Sequence, residues 1–370
     1  MAKRILFLIS DTGGGHRAAA NAIIEGLEQL YPGQLETSVV DFLRYAPPPL
    51  RYSPEIYSRM QRAKGAWWRF SFTATNGPRR TRAVSELSFP YLRRSMKQLL
   101  AEHPADLIVS VHPVSTAVFP RAVRGDRTPF VTVVTDMVSV HAFWYSPVAD
   151  LTIVPTEQAR NRGIRFGLPA DKMRVIGQPV SPGFATASGH KDRLREEFGW
   201  ELDRPLVLLV GGGDGMGPIR RVARAINEAE LPISLAVVCG HNEDVLRDLN
   251  RLSWKIPHHL YGFTTEMARF MRAADVLITK AGPGSISEGF ICGLPIVMYA
   301  YLPGQEEGNI DYVLDGQAGF WAPTADAVVE AVRTLADDPA ARWQMAEASL
   351  RLARPNAATD IARVLAEQVL

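Results

Sequence analysis

Five short clusters in this 370-residue chain combine reactive or ligand-binding residue types with a spacing that would gather them on one ligand. The richest runs from Lys280 through Gly282, Pro283, Gly284 and Ser285 to Glu288, directly after the apolar run Val276-Leu277-Ile278-Thr279. A Gly-Pro-Gly turn between a strand and a helix collects backbone N–H groups at the positive helix end, where a phosphate or diphosphate is best held. Glu288 is expected on the first turn of that helix, where its carboxylate can accept two hydrogen bonds from a ribose diol. The turn alone is also compatible with a plain connection followed by a dipole-favoured acid. What tips the balance is Gln305, Glu306 and Asn309, crowded after a second apolar run, Ile296-Val297-Met298. Polar residues at the ends of consecutive parallel strands mark the ligand crevice of an open α/β sheet.

Three further turns carry glycine or histidine at strand ends. Ser10 to Arg17 reads SDTGGGHR, so Gly14 and Gly15 let backbone approach a ligand and His16 stands at a helix N-terminus. The positive helix end disfavours imidazolium, leaving a neutral His16 able to accept a proton. Gly211 to Gly217 reads GGGDGMG after another apolar run and suits a donor's phosphates. His112 follows Val111, and the pair Thr135-Asp136 precedes His141. Neither glycine cluster fits G-x-G-x-x-G, no P-loop occurs, and no Asp-x-Asp pair exists to hold a metal on a nucleotide. A transferase built this way needs backbone N–H groups and a helix terminus to stabilise a leaving diphosphate.

These turns require strands that deliver them side by side. Apolar runs alternate with helical periodicity: strands at 4–10, 37–40, 107–111, 130–135 and 151–154, then 206–210, 234–238, 259–261, 276–279 and 296–298. Alternating βα units imply parallel, doubly wound sheets, and 370 residues imply two of them. The Pro- and Gly-rich stretch from Ile176 to Phe184 is the seam, giving domains 1–178 and 179–370 that face across a cleft, with the helical tail after Ala325 closing the second. With 46% hydrophobic and 22% charged residues and no apolar run of spanning length, a membrane-crossing chain is not expected. Two cysteines, Cys239 and Cys292, point to a reducing compartment without disulfides.

Residues 44–97 break the βα pattern with twelve basic residues against two acids, interleaved with aromatics that include Trp67 and Trp68. Arg79 and Arg80 belong to this run. Basic and aromatic together suit an anionic membrane surface, each cation contributing about 1 kcal/mol there; nucleic acid is the competing partner, and a solvated insertion with core aromatics the plainest one.

Taken together, SDTGGGHR, SVHP at Ser110 to Pro113, GGGDGMGP, KAGPGSISE and PGQEEGN are similar in type and order to the monogalactosyldiacylglycerol synthase family of glycosyltransferases, over nearly the whole chain. The resemblance implies an α/β fold of the GT-B class, an inverting and metal-independent transfer from a UDP-hexose, and a diacylglycerol acceptor met at an anionic membrane, with no nucleic acid partner. It implies that Gly212, Gly213, Gly215, Met216, Lys280 and the Gly282–Ser285 turn cradle the diphosphate, that Glu288 binds the ribose, and that the backbone near Phe263 meets uracil. Gln305 and Glu306 would hold the sugar, supported by Asn309. His16 is the first choice for the base or the group that positions it, with Asp136 and Asp11 as rivals. Gly14, Gly15, His112, Trp67, Trp68, Arg79 and Arg80 fall on the acceptor and lipid side. The short N-terminus resembles bacterial members, and a cytoplasmic chain bound peripherally to the inner membrane face is expected. Galactose is the expected sugar; UDP-glucose with the same acceptor, and a non-hydrolysing UDP-sugar epimerase on the same fold, are the alternatives.

Overall fold

The computed structural model describes residues 2–12, 14–52, 72–122, 128–186, 189–213, 215 and 217–370. Trp67, Trp68 and Met216 lie outside these residues. The chain forms two compact units: the first holds Met1–Pro182, Pro303–Glu306 and Asn356–Leu370, the second Gly183–Leu302 and Glu307–Pro355.

In the first unit β1 (Lys3–Ile9), α1 (Gly15–Leu30), β2 (Leu35–Asp41), α2 (Pro78–Glu102), β3 (Leu107–Ser110), α3 (Pro113–Ala122), β4 (Phe130–Val133), β5 (Leu151–Val154), α4 (Glu157–Arg165) and β6 (Met173–Val175) follow in order. The sheet runs β2-β1-β3-β4-β5-β6 and every pairing is parallel. Side chains alternate across a strand, so Ile5, Phe7 and Ile9 of β1 meet α1, while Leu6 and Leu8 pack with Leu92, Met96 and Leu99 of α2. Both faces are thereby covered, and β1 reads as an unbroken apolar run.

The second unit contains α5 (Lys191–Phe198), β7 (Leu206–Val210), α6 (Ile219–Glu228), β8 (Ser234–Val238), α7 (Glu243–Asn250), β9 (His258–Tyr261), α8 (Met267–Ala273), β10 (Val276–Lys280), α9 (Pro283–Ile291), β11 (Ile296–Ala300), α10 (Glu307–Asp315), β12 (Gly319–Trp321), α11 (Ala325–Asp337) and α12 (Pro339–Leu352). Its sheet runs β12-β11-β10-β7-β8-β9, again all parallel.

Three expectations change. The tail does not stay with the second unit: α11 and α12 do, but the last helix, α13 (Ala357–Ala366), belongs to the first and packs on α1. Its Ile361, Ala362 and Leu365 complete the core beside Ile5 and Ile23, an apolar stripe whose destination no local pattern encodes. The three-residue strands β6 and β12 are too short to show a period and exist because each completes a sheet edge. Finally, α9 begins at Pro283, so Glu288 is its sixth residue and stands on the second turn, not the first.

Candidate active site

In each unit strand order reverses at one place, between β1 and β3 in the first and between β7 and β10 in the second. Ligands of open α/β sheets bind beyond the carboxyl ends of the strands at such a switch point. The chemistry-bearing turns stand at both.

At the second unit's switch point the glycine loop after β7 is locked by its neighbours. The Gly215 N–H donates to the Gly212 carbonyl at 3.0 Å, the His241 N–H donates to the Gly213 carbonyl at 2.9 Å, and the Asn242 amide donates to the Gly215 carbonyl at 3.1 Å. Gly212 and Gly215 have φ of +71° and +57°, and a Cβ on Gly215 would stand 2.0 Å from the Cys239 carbonyl oxygen. Only glycine fits there. Lys280 closes β10 at a register shift, and its Cε lies 3.8 Å from where a Gly212 Cβ would be, so ammonium stem and glycine backbone border the same space.

Gly282 precedes α9 without any side-chain cap, and a Cβ at Gly284 would meet open space. The N–H groups of the first turn therefore have no internal acceptor. Asn309 braces this turn: its amide donates to the Ala281 carbonyl at 2.9 Å. The Asn309 Oδ1 is buried without a partner among the described residues. Desolvation alone raises the Glu288 carboxyl to about 7, and among the described residues nothing hydrogen-bonds to it. Phe263 is exposed and stacks on His241 with ring centroids 4.3 Å apart.

The first unit's switch point assembles a dense polar cluster. His16, the second residue of α1, places Nδ1 3.2 Å from the Thr135 hydroxyl and its ring 4.7 Å from His112 and 6.0 Å from Trp144. Burial lowers it to about 4, with a hydrogen bond to the Val111 backbone working weakly the other way. His112 accepts the Val114 N–H on Nδ1 at 3.2 Å, so its proton sits on Nε2, 3.3 Å from the Thr12 hydroxyl. Desolvation, and secondarily His16, push His112 well below the ordinary histidine range. Asp136 is almost fully buried, accepting the Trp144 indole N–H on Oδ2 at 2.8 Å and the Gln305 amide on Oδ1 at 2.7 Å. Burial outweighs these bonds and lifts the carboxyl to about 6. Glu306 is buried beside it and raises it further.

The structure thus brings His16, His112, Asp136, Gln305 and Glu306 into one cluster. Asp11 stands apart: exposed, gripped at both oxygens by Arg17 at 2.8 and 2.9 Å, and lowered by that guanidinium. Gly14 and Gly15 are exposed, with room beside both Cα atoms. Arg79 and Arg80 lie on the first turn of α2, where Arg80 donates to the Thr73 carbonyl at 3.0 Å. Sequence reasoning missed Trp144, which reads as plain core; its signal is the N–H that a buried indole must satisfy. Among the described residues no group of three or more His, Cys, Asp or Glu could hold a metal ion, and no helix is long and apolar enough to cross a membrane.

Residues 16–180 match the family model for monogalactosyldiacylglycerol (MGDG) synthase, and residues 206–363 match that for the glycosyltransferase family 28 C-terminal domain. The fold is similar to that of S. aureus MnaA solved with UDP (TM-score 0.66, 14% identity, 97% of this chain and 94% of that one) and of Acinetobacter baumannii MurG (0.62, 16%, 98% and 99%). Those likenesses place both units in the expected GT-B class. A probable chloroplastic monogalactosyldiacylglycerol synthase of Glycine max is 35% identical over 99% of this chain and 72% of its own length, and the Spinacia oleracea synthase is 34% identical over 99% and 73%. With two matching family models and relatives that similar along its whole length, the chain belongs to the monogalactosyldiacylglycerol synthase family.

Proposed function

We propose that this chain transfers galactose from UDP-galactose to the sn-3 hydroxyl of 1,2-diacylglycerol, inverting the anomeric centre to give a β-galactolipid. The observation that carries this reading is the 35% identity to a monogalactosyldiacylglycerol synthase over 99% of the chain. On the donor side, Lys280 and the N–H groups of Gly212, Gly213, Gly284 and Ser285 hold the diphosphate and stabilise it as it leaves, while Gly215 and Gly282, whose N–H groups donate to the Gly212 and Lys280 carbonyls, shape the two turns. Pro283 contributes the helix-start geometry rather than a donor. Glu288 accepts the ribose hydroxyls, for which its unpartnered carboxylate is suited. The backbone near Phe263, whose ring is stacked on His241, meets the uracil. Glu306 holds the sugar hydroxyls, and Gln305 does so while bonded to Asp136.

The acceptor oxygen attacks the anomeric carbon, the bond to UDP breaks, and the hydroxyl proton passes to the Asp136 carboxylate. A base near the working pH transfers protons best, and Asp136 at about 6 meets that condition better than His16 at about 4. His16 then orients the hydroxyl. A second reading keeps His16 as the base, favoured by its neutral ring at physiological pH. Asp11 serves neither role while Arg17 holds it.

The acceptor resides in a membrane, and α2 offers a face for one. Ser85, Leu92, Met96 and Leu99 point inward, while Val84, Leu87 and Tyr91 form a second apolar stripe that is exposed, Leu87 at 81%. Arg80 and Arg94 share that stripe's helical position. This supports peripheral attachment to an anionic leaflet. The test is a mixed pool of UDP-galactose, UDP-glucose and UDP-GlcNAc with diacylglycerol in anionic vesicles. A β-galactolipid is expected; a glucolipid would move the assignment to a diacylglycerol glucosyltransferase, and hydrolysis or epimerisation without lipid product would overturn it. The epimerase alternative rests on fold likeness at 14% identity, which speaks to fold and not to reaction.

A further inference from the structure

We propose that Thr75 and His141 are positioning residues for the transfer, forming with Phe72 and Gly304 a clamp that holds Asp136 and Gln305 in one geometry. This rests on the transferase reading above for its consequence, but its geometry is independent of it. All of these residues belong to the first unit.

His141 is a buried polar side chain that neither the donor contacts nor the proton transfer uses. Its backbone N–H donates to the Asp136 carboxylate. Its ring accepts the Phe143 N–H on Nδ1 at 3.1 Å, which puts the ring proton on Nε2, 3.1 Å from the Thr75 hydroxyl. The turn is tied a second time by the Ala142 N–H, which donates to Asn76 Oδ1 at 3.0 Å. Phe72 packs edge-on against the His141 ring at 4.8 Å. The other side of Phe72 meets Gly304, where a Cβ would stand 2.8 Å from the Phe72 ring and φ is +85°. Gly304 immediately precedes Gln305, the donor to Asp136 Oδ1. Segment 72–76 therefore grips both the turn carrying His141 and the turn carrying Gln305, and those two turns supply two of the carboxylate's hydrogen bonds. Burying an imidazole costs free energy that an apolar side chain would not. Spending it between a hydroxyl and the main chain behind a carboxylate fits positioning, since an ångström of misplacement at such a group costs large factors in rate.

Thr75→Val removes the hydroxyl at constant shape, and His141→Asn keeps an acceptor for the Phe143 N–H while losing the reach to Thr75. Each is expected to lower kcat about ten-fold or more with KM for the UDP-hexose unchanged within about two-fold. The double variant should be no slower than the slower single one, because both cut the same link; Thr75→Ser should restore turnover. Full turnover in Thr75→Val, or additive losses, would overturn the clamp. A substrate-free readout separates this from the assigned reaction: the Trp144 indole N–H is bonded to Asp136, so its ¹H–¹⁵N resonance should shift in Thr75→Val and return in Thr75→Ser. An unmoved resonance sinks the clamp whatever the activity. A shifted resonance in a chain that makes no glycolipid leaves the clamp standing and sinks the transferase reading. If His141→Asn fails to fold, the Thr75 pair decides the matter alone.

Discussion

At the scale of single residues, the two candidate bases differ in a way that a pH profile resolves. Asp136 must be ionised to take a proton, so with its carboxyl at about 6 kcat should fall as pH drops through about 6. If His16 were the base, the same limb would lie near 4. His16→Ala is expected to cost about 10²–10⁴-fold in turnover in either case while UDP affinity stays nearly intact. Glu288 gives a separate signature. Hydrogen bonds from a ribose diol favour its ionised form, so binding a UDP-hexose should expel the proton held by a carboxyl at about 7. Affinity should therefore rise between pH 6 and about 8 and then level, with proton release visible by calorimetry in buffers of different ionisation heat. Glu288→Gln should abolish that dependence; an unchanged pH response would refute the ribose assignment. Residue types alone disclosed His16, Asp136 and Glu288 as candidates. Their environments, which decide who is charged, came from burial and could not be read along the chain.

At the scale of elements, the glycine loop after β7 is the sharpest case. Gly215→Ala adds a methyl into the Cys239 carbonyl at a backbone angle that L residues avoid, so the loop must shift. UDP-hexose affinity is expected to fall about ten-fold or more, measured by calorimetry, with little change in the far-ultraviolet circular dichroism. Helix α2 behaves differently, because Leu87 at the centre of its outward stripe is largely in solvent. Leu87→Glu should leave the melting temperature within a few degrees of the unmodified chain while weakening sedimentation with anionic vesicles. The sequence announced the basic charge of this region but not the division of its aromatics: Phe72 is buried in the clamp, whereas Tyr91 is exposed.

At the scale of the whole molecule, the chain's last helix returns to its first. Gly26 on α1 lies against the backbone of Ala358 and Thr359 on α13, where a Cβ would stand 3.1 Å from the Ala358 carbonyl oxygen. Gly26→Leu should therefore destabilise the first unit by about 1–3 kcal/mol in denaturant titration, through a contact between residues more than three hundred positions apart. Stability unchanged by this substitution would mean that α13 is not seated on α1.

The sequence by itself determined the βα alternation, the two parallel sheets, the turns at strand ends and the family, because apolar period, turn chemistry and motif order are local properties of the chain. Tertiary structure alone decided that Glu288 stands unpartnered on the second turn of its helix, that Asp136 is bracketed by Trp144 and Gln305, and that α13 belongs to the first unit. Each of these depends on which distant segments exclude water from which side chain. That exclusion, and the charge state it imposes, is a property of packing and has no local code.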